Sequence, residues 1–144
     1  MARDKQTAAD QQVQQSLDTG VAQPSNSSWA APIVMVRKKD QTSRLCVDYR
    51  LLNERTIKDA YPLPRIQDTL DTLSTARYFS TLDLTSGYWQ VEMTPRARKA
   101  AAFCTRKGLF EWNVMPFGLC NAPATFQRLM DRVLAGLQWE TCLV

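Results

Sequence analysis

The sequence contains no histidine at all. Without that side chain the Ser-His and Cys-His pairs of nucleophilic enzymes cannot form, and most zinc sites lose a usual ligand. The four cysteines lie far apart, make no CxxC pair and each fall within an apolar run. We therefore expect buried free thiols in a reducing compartment rather than disulfides or a zinc cluster. These cysteines are Cys46, Cys104, Cys120 and Cys142.

Long apolar runs are also lacking. No stretch approaches the ~20 residues of a membrane-spanning helix, and the polar first residues contain no apolar core of a secretory signal. The 144 residues, 44% of them hydrophobic, suffice to bury one modest core. The net charge of +4 is compatible with a polyanionic partner. We expect an intracellular protein, cytoplasmic or nuclear, that does not bind a membrane.

An acidic residue lies near the end of an apolar stretch, 78–84, which is rich in β-branched, aromatic and aliphatic residues and predicts a strand. The residue is Asp83, and the Thr-Ser-Gly sequence at 85–87 then breaks the run. A carboxylate at a strand end can face a cleft, where a hard cation such as Mg²⁺ would use its oxygen atoms. The stretch alone favours a simpler interpretation, in which the aspartate caps the turn.

Two hairpins are predicted from alternating apolar residues around turn signals. The first joins 32–39 to 44–50 through a turn at 40–43, and the second joins 100–105 to 109–114. The tip of the first hairpin carries a cationic cluster that can hold phosphate oxygens, although a solvated tip would look the same. The cluster comprises Arg37, Lys38, Lys39 and Arg44.

Three helices are predicted from apolar residues at helical spacing. A first amphipathic helix covers 4–19, with Ala9, Val13 and Leu17 on one face, and an irregular linker, 21–28, follows it. A second covers 65–74 with a buried stripe of Ile66, Leu70 and Leu73. A third covers 121–137, capped by Asn121, with a buried face of Phe126, Leu129, Met130, Val133, Leu134 and Leu137. Residues 138–144 begin another strand.

Three motifs in one order carry a resemblance to a known family: APIVMVRKKD…RLCVDYRLLN at 31–53, LDLTSGYWQV at 82–91 and VMPFGLCNAPATFQ at 114–127. Together, over roughly residues 10–144, the chain resembles the fingers and palm of a reverse transcriptase from the Pol polyprotein of a gypsy-like long-terminal-repeat retrotransposon. The resemblance implies an α+β fold, a partial right-hand polymerase with fingers and an incomplete palm built on an antiparallel sheet. It divides the chain into an N-terminal helix and linker, 1–28, and a fingers and palm region, 29–144, that ends before the Tyr-x-Asp-Asp hairpin.

The resemblance also implies roles for individual residues. Asp83 would be the catalytic aspartate and, with the backbone carbonyl of Leu84, a metal ligand. Lys38 and Arg44 would grip the triphosphate of the incoming nucleotide. Tyr88 would lie under its sugar and exclude a 2′-hydroxyl. Phe117 and Gly118 would pack against the nascent base pair.

The chain departs from the family pattern in the first hairpin. Gln41 stands where a glycine is common, and Ser43 stands where an aromatic residue is common. A stiffer turn and a lost ring affect the pose of the hairpin but not its charges. Among the other acidic residues, we expect Asp68 and Asp71 to be solvated, and neither Glu92 nor Glu111 is favoured as a metal ligand.

The activity that the resemblance implies is DNA synthesis on an RNA or DNA template with a primer, from deoxynucleoside triphosphates, with two Mg²⁺ ions. The remaining palm, the thumb and, where the polyprotein carries one, a ribonuclease H portion would be partners, and a retrotransposon particle would be the setting of a full polyprotein. The 144-residue chain alone is expected to be catalytically incomplete. Two alternatives are a non-catalytic remnant that binds nucleic acid and a truncated gene product.

Overall fold

The computed structural model describes residues 3–39 and 41–144 of the chain. Met1, Ala2 and Asp40, which belongs to the predicted first turn, lie outside the described residues. The α+β class predicted from the sequence is confirmed. The elements in chain order are α1 Arg3–Asp18, β1 Ala22–Pro24, β2 Ala31–Arg37, β3 Ser43–Val47, α2 Arg50–Arg55, α3 Ile66–Leu73, a 3₁₀ helix Gly87–Gln90, α4 Pro95–Ala100, β4 Phe103–Thr105, β5 Gly108–Trp112 and α5 Ala122–Val133.

The five strands form one sheet in the order β1-β5-β4-β2-β3. Both predicted hairpins form, as the antiparallel pairs β2–β3 and β4–β5. The β1–β5 pair is antiparallel as well, whereas β2 and β4 run parallel over a short contact at Ala31 and Pro32. The sheet is therefore antiparallel except between β2 and β4, where the two hairpins lie side by side.

The core is built where the second hairpin meets α1. The Phe103 side chain is 0% exposed, and its ring stacks on Trp112 with the centroids 4.7 Å apart. From α1, Ala9 and Val13 are buried and Leu17 packs against the core, so the predicted amphipathic helix is confirmed. Stacked aromatic rings bury large apolar areas, which makes this cluster the main source of stability in a small domain.

The predicted strand at 78–84 is wrong. These residues have no regular secondary structure and are exposed, Leu82 to 98%. Strand propensity measures how well a side chain fits a half-buried pleated surface. Within the described part of the chain, no strand pairs with this stretch, so its backbone lacks the ladder hydrogen bonds that a strand requires.

The buried stripe predicted on the second helix is also wrong. A helix does form, as α3, but Ile66 is 81% exposed and Leu70 is exposed as well. Periodicity correctly indicates an amphipathic helix, yet a helix face becomes core only when another element covers it. Among the described residues, none is buried in α3, so its apolar face points to solvent.

The third helix is shorter than predicted and buries a different face. It ends at Val133, which is 63% exposed, and Leu137 beyond it is exposed too. Its buried residues are Ala122, Ala124 and Gln127, whereas Phe126, Leu129 and Met130 are half-buried. The strand predicted at 138–144 does not form, because this stretch turns back on itself with a single bridge between Gln138 and Cys142.

Several smaller predictions are corrected. Part of the expected linker forms β1, and two helices that were not predicted, α2 and α4, are present. The side chain of Thr94 caps α4 by accepting a hydrogen bond from the Ala97 N–H. The four thiols are free, but none is fully buried and Cys104 is exposed, because the strand β4 turns that side chain away from the core. The division of the chain into an N-terminal region, 1–28, and a fingers and palm region, 29–144, stays a prediction. No helix in the described ranges is both long and apolar enough to cross a membrane.

Substitutions in the buried aromatic cluster and in the exposed stretch 78–84 should affect stability differently. We expect Phe103→Ala to lower the free energy of unfolding by about 3–5 kcal/mol, because it removes a fully buried ring. The control, Leu82→Ala, is expected to change it by less than about 0.5 kcal/mol, as exposed substitutions do. Urea unfolding followed by Trp fluorescence measures both. Equal losses for the two variants would show that 78–84 is packed in solution.

Candidate functional site

A cleft of about 770 Å³ lies between α1, β3 and the loop that precedes α5. Its lining includes four of the residues singled out in the sequence, together with Ser86 and Trp89 from either side of Tyr88. The four are Lys38, Arg44, Phe117 and Gly118. The structure thus brings two of the four cations of the first hairpin, and the loop motif, into one concave site.

Arg44 lies on β3 with its guanidinium 4.5 Å from the centroid of the Phe117 ring. This cation–π contact orients the planar group while leaving its N–H donors available. Lys38 follows β2 and is exposed, and its backbone N–H donates to the Thr42 carbonyl at 2.7 Å, which closes the hairpin turn. Gln41, at the common glycine position, has φ of 69°, a left-handed conformation that glycine adopts at lower cost.

Tyr88 lies in the 3₁₀ helix and is half-buried against two other rings. Its ring centroid is 5.2 Å from that of Phe117 and 5.5 Å from that of Phe126, the second in an edge-on arrangement. Together with the Arg44 guanidinium, these rings form a continuous series of contacts from β3 to α5, which we call the aromatic bridge. The bridge fixes the Tyr88 ring from two sides.

The loop before α5 is held by a residue that sequence reasoning missed. Asn53, in α2, donates from Nδ2 to the Gly118 carbonyl at 2.8 Å and accepts at Oδ1 from the Cys120 N–H at 2.9 Å. The available signal was an asparagine inside the otherwise helix-forming segment RLLNER, since asparagine is a poor helix former that often bonds to backbone groups. The predicted cap residue Asn121 does not cap α5 with its side chain, which instead bonds to the backbone at Ile57 and Asp59.

Gly118 is required by this geometry. Its φ of +97° lies in a region that other residues rarely adopt, and an added Cβ would stand 3.4 Å from Cδ2 of Tyr49. Tyr49 is buried, and its hydroxyl donates to the Ala101 carbonyl at 2.7 Å. Burial raises the pKa of this hydroxyl above its ordinary value, so the side chain stays neutral. The ring packs against the loop at Gly118.

Asp83 and Leu84 lie outside the cleft lining, on the exposed stretch before the turn at 85–87. The predicted turn is confirmed, with Ser86 in the left-handed conformation. Among the described residues, the Asp83 carboxylate has no hydrogen-bond or ion-pair partner. It is therefore available as a ligand.

The donor set of this chain does not by itself fit two metal ions. The described ranges contain no group of three or more acidic, cysteine or histidine side chains placed to hold one. Glu111 is occupied, because its two oxygens accept hydrogen bonds from Gln23 and Ser25. Asp83 and the Leu84 carbonyl are oxygen donors of the right type for a hard cation, but they are too few.

The carboxylate that follows β3 is also occupied. Asp48 pairs with Arg50 at 2.6 Å, and hydrogen bonds from Arg50 lower the pKa of Asp48 to about 2. The negative charge of Asp48 is thereby paired with the guanidinium of Arg50. Lys38 and Arg44 form no ion pair with another described residue, so the cleft keeps a local excess of positive charge.

The comparison with family models decides the identity of the chain. Residues 36–144 match the model described as reverse transcriptase (RNA-dependent DNA polymerase). The chain belongs to the reverse transcriptase family. The family resemblance carried by the three sequence motifs is confirmed, and enzymes of this family use divalent metal ions.

The relatives of this reverse transcriptase chain are much longer proteins. It is 42% identical over 149 residues to the retrovirus-related Pol polyprotein from transposon 297 of Drosophila melanogaster, covering 100% of this chain and 14% of that protein. It is 40% identical over 139 residues to the corresponding polyprotein from transposon gypsy of the same organism, covering 92% of this chain and 13% of the relative. The chain therefore spans about a seventh of the length of these relatives.

A solved structure shares the fold. The foamy viral protease-reverse transcriptase in complex with an RNA/DNA hybrid superposes with a TM-score of 0.87 at 25% identity, covering 100% of this chain and 19% of that one. The superposition agrees with the prediction of a partial polymerase fold.

The geometry around Gly118 makes a second stability prediction. We expect Gly118→Ala to lower the free energy of unfolding by about 1–3 kcal/mol, because the new Cβ adds backbone strain and meets the Tyr49 ring. The control is Gly136→Ala, at φ of +85° with nothing within 4 Å. Thermal unfolding of both variants isolates the contact with Tyr49. A loss at Gly118 no larger than that at Gly136 would mean that the loop does not press on this ring.

Proposed function

We propose that this chain is the fingers and part of the palm of a retrotransposon reverse transcriptase, and that its cleft holds the incoming deoxynucleoside triphosphate. One observation carries the proposal: Lys38 and Arg44 meet Phe117 and Gly118 in a single cleft beside Tyr88. A planar guanidinium and an ammonium are the donors that bind phosphate oxygens. Because Phe117 orients the guanidinium of Arg44, less conformational freedom is lost when phosphate binds.

In this proposal Tyr88 selects the sugar by exclusion. A side chain can reject a 2′-hydroxyl only if it cannot move aside at low cost. The contacts of Tyr88 with Phe117 and Phe126 give the ring that rigidity. Gly118, next to Phe117, lines the same cleft, where its backbone would approach the nascent base pair.

Mg²⁺ is the proposed cofactor, two ions in the complete enzyme. Asp83 would contribute its carboxylate, as the catalytic aspartate, and Leu84 its backbone carbonyl. Since these two donors cannot complete the coordination of two octahedral ions, triphosphate oxygens, water and carboxylates from the remaining palm would supply the other ligands. What this chain supplies is therefore the binding of the triphosphate, the position of the sugar and one of the carboxylates.

The proposed partners are an RNA or DNA template with its primer, the remaining palm and thumb, and a ribonuclease H portion where the polyprotein carries one. The foamy viral enzyme with the same fold is bound to an RNA/DNA hybrid, and the retrotransposon relatives are Pol polyproteins. We place the chain inside the cell, in the cytoplasm or nucleus, and in a retrotransposon particle when it is part of a polyprotein.

A second candidate function is the binding of nucleic acid without catalysis, favoured by the exposed cations of the first hairpin. Such binding weakens with salt, because neutralised phosphates release counterions. A fluorescence anisotropy titration of a primer–template at two salt concentrations tests it. Salt-dependent binding that Lys38→Gln and Arg44→Gln both weaken would support it, and absence of binding would favour a truncated product.

The single carboxylate makes a prediction for activity. We expect the 144-residue chain to show no primer extension with Mg²⁺ or Mn²⁺, because two ions about 4 Å apart carry repulsion that one aspartate cannot offset. The measurement is incorporation of labelled nucleotide on a primed template, with a complete reverse transcriptase as positive control. Extension that is abolished by Asp83→Asn would overturn the prediction.

The packing of Tyr88 makes a prediction for selectivity. In a longer polypeptide that includes the rest of the polymerase, Tyr88→Ala should increase ribonucleotide incorporation relative to deoxyribonucleotide incorporation by about tenfold or more, as expected if the clash removed is worth roughly 1.4 kcal/mol. Tyr61→Ala, which removes the same side chain outside the cleft lining, is the matched control. If the ratio for Tyr88→Ala stays at the wild-type value, the ring is only a packing residue.

A further inference from the structure

The first hairpin has an open edge, and a side chain from α1 is bonded to it. β3 is the last strand of the sheet, so one side of its backbone has no neighbouring strand within residues 3–39 and 41–144. There Gln12 donates from Nε2 to the Ser43 carbonyl at 2.7 Å and accepts at Oε1 from the Leu45 N–H at 2.8 Å. Both polar atoms of one amide are used on the two residues that flank Arg44.

The register of the hairpin explains why these two backbone groups are available. Lys38 N–H donates to the Thr42 carbonyl and Asp48 N–H donates to the Pro32 carbonyl, and Arg44 is opposite Val36. Because hydrogen-bonded pairs alternate along an antiparallel ladder, the backbone of Arg44 faces β2. The backbone groups of Ser43 and Leu45 then face the open edge, where Gln12 meets them as a residue of a further strand would.

The helix that carries Gln12 is itself fixed. Asp10 pairs with Arg106 of the second hairpin at 2.6 Å, and Asp10 is buried. One residue beyond Gln12, Val13 lies in the core cluster. The Gln12 amide is therefore a rigid point of attachment rather than a mobile surface contact.

We propose that Gln12 is a positioning residue for Arg44, holding the strand on both sides of it so that its guanidinium stays in the cleft. This rests on the proposed function, in which Arg44 binds the triphosphate. Gln12 lies outside the residues 36–144 that match the family model. Gln12 also lines the cleft, but its two amide atoms are engaged with the strand, so its effect on phosphate is exerted through Arg44.

The test measures binding of inorganic triphosphate to the 144-residue chain by NMR titration. The variants are Gln12→Met, Arg44→Gln, the double variant, and the control Gln14→Met on the same helix, where Gln14 is exposed and bonds to Asp18. We expect Gln12→Met to raise the Kd about five- to tenfold, since it removes two hydrogen bonds that restrain the strand. Gln14→Met should leave the Kd unchanged.

The double variant separates positioning from a general loss of stability. If Gln12 acts through Arg44, the double variant should bind no more weakly than Arg44→Gln alone, because the group being positioned is already gone. Additive losses would overturn the proposal. Hydrogen exchange of the Leu45 amide should accelerate in Gln12→Met and not in Gln14→Met, and an unchanged rate would also overturn it.

Two further results keep the proposal separate from the proposed function. Gln12→Leu removes the same two hydrogen bonds without adding charge to the cleft, so it should fold and weaken binding as Gln12→Met does. If Arg44→Gln weakens binding while both Gln12 variants bind as the wild type does, the positioning role is wrong and the triphosphate site stands. If the wild-type chain binds no triphosphate, or binds it independently of Arg44, the proposed function fails and the positioning role fails with it.

Discussion

The buried ring of Tyr49 is the contact on which the cleft depends. It lies two residues beyond the end of β3, its hydroxyl donates to the Ala101 carbonyl between α4 and the second hairpin, and its ring packs against Gly118. One side chain therefore joins the first hairpin, the second hairpin and the loop before α5. Because the ring is fully enclosed and its hydroxyl satisfied, displacement would cost both apolar burial and a buried hydrogen bond. The distance between the arginine strand and the loop is fixed by this packing.

Two amide side chains complete the support of the cleft in the same way. Gln12 bonds to the backbone on both sides of Arg44, and Asn53 bonds to the backbone at Gly118 and Cys120. Each amide uses its donor and its acceptor, so each satisfies two backbone groups that no strand or helix partner would otherwise meet. The cationic half of the cleft is thus held by neutral hydrogen bonds, which leaves the positive charge of Lys38 and Arg44 unpaired among the described residues.

The sequence predicts the parts of this structure that depend on local pattern. Alternation identifies both hairpins, four-residue spacing identifies α1, and the Thr-Ser-Gly sequence identifies the turn after Asp83. Local pattern does not predict which apolar faces are covered by other elements. For that reason the predictions of a strand at 78–84 and of the buried faces of α3 and α5 are wrong. Gln12 and Asn53 were missed for a different reason: a polar residue that bonds to distant backbone leaves no periodic signal in its own helix. Tertiary contacts, rather than local propensity, determine both which apolar faces are buried and which polar side chains bond to distant backbone.

The exposed stretch that carries Asp83 is connected to the cleft where the backbone of Gly87 approaches the ring of Phe126. Gly87 packs so tightly against Phe126 that an added Cβ would lie 3.3 Å from Cζ of that ring. The same ring contacts Tyr88, so α5 positions both the end of the turn after Asp83 and the residue proposed to screen the sugar. Only three residues separate Asp83 from Gly87, and Ser86 between them is held in a left-handed conformation. The position of the Asp83 carboxylate relative to Lys38 and Arg44 is therefore set by Phe126, through the short turn and the aromatic bridge, since among the described residues the carboxylate has no hydrogen-bond or ion-pair partner.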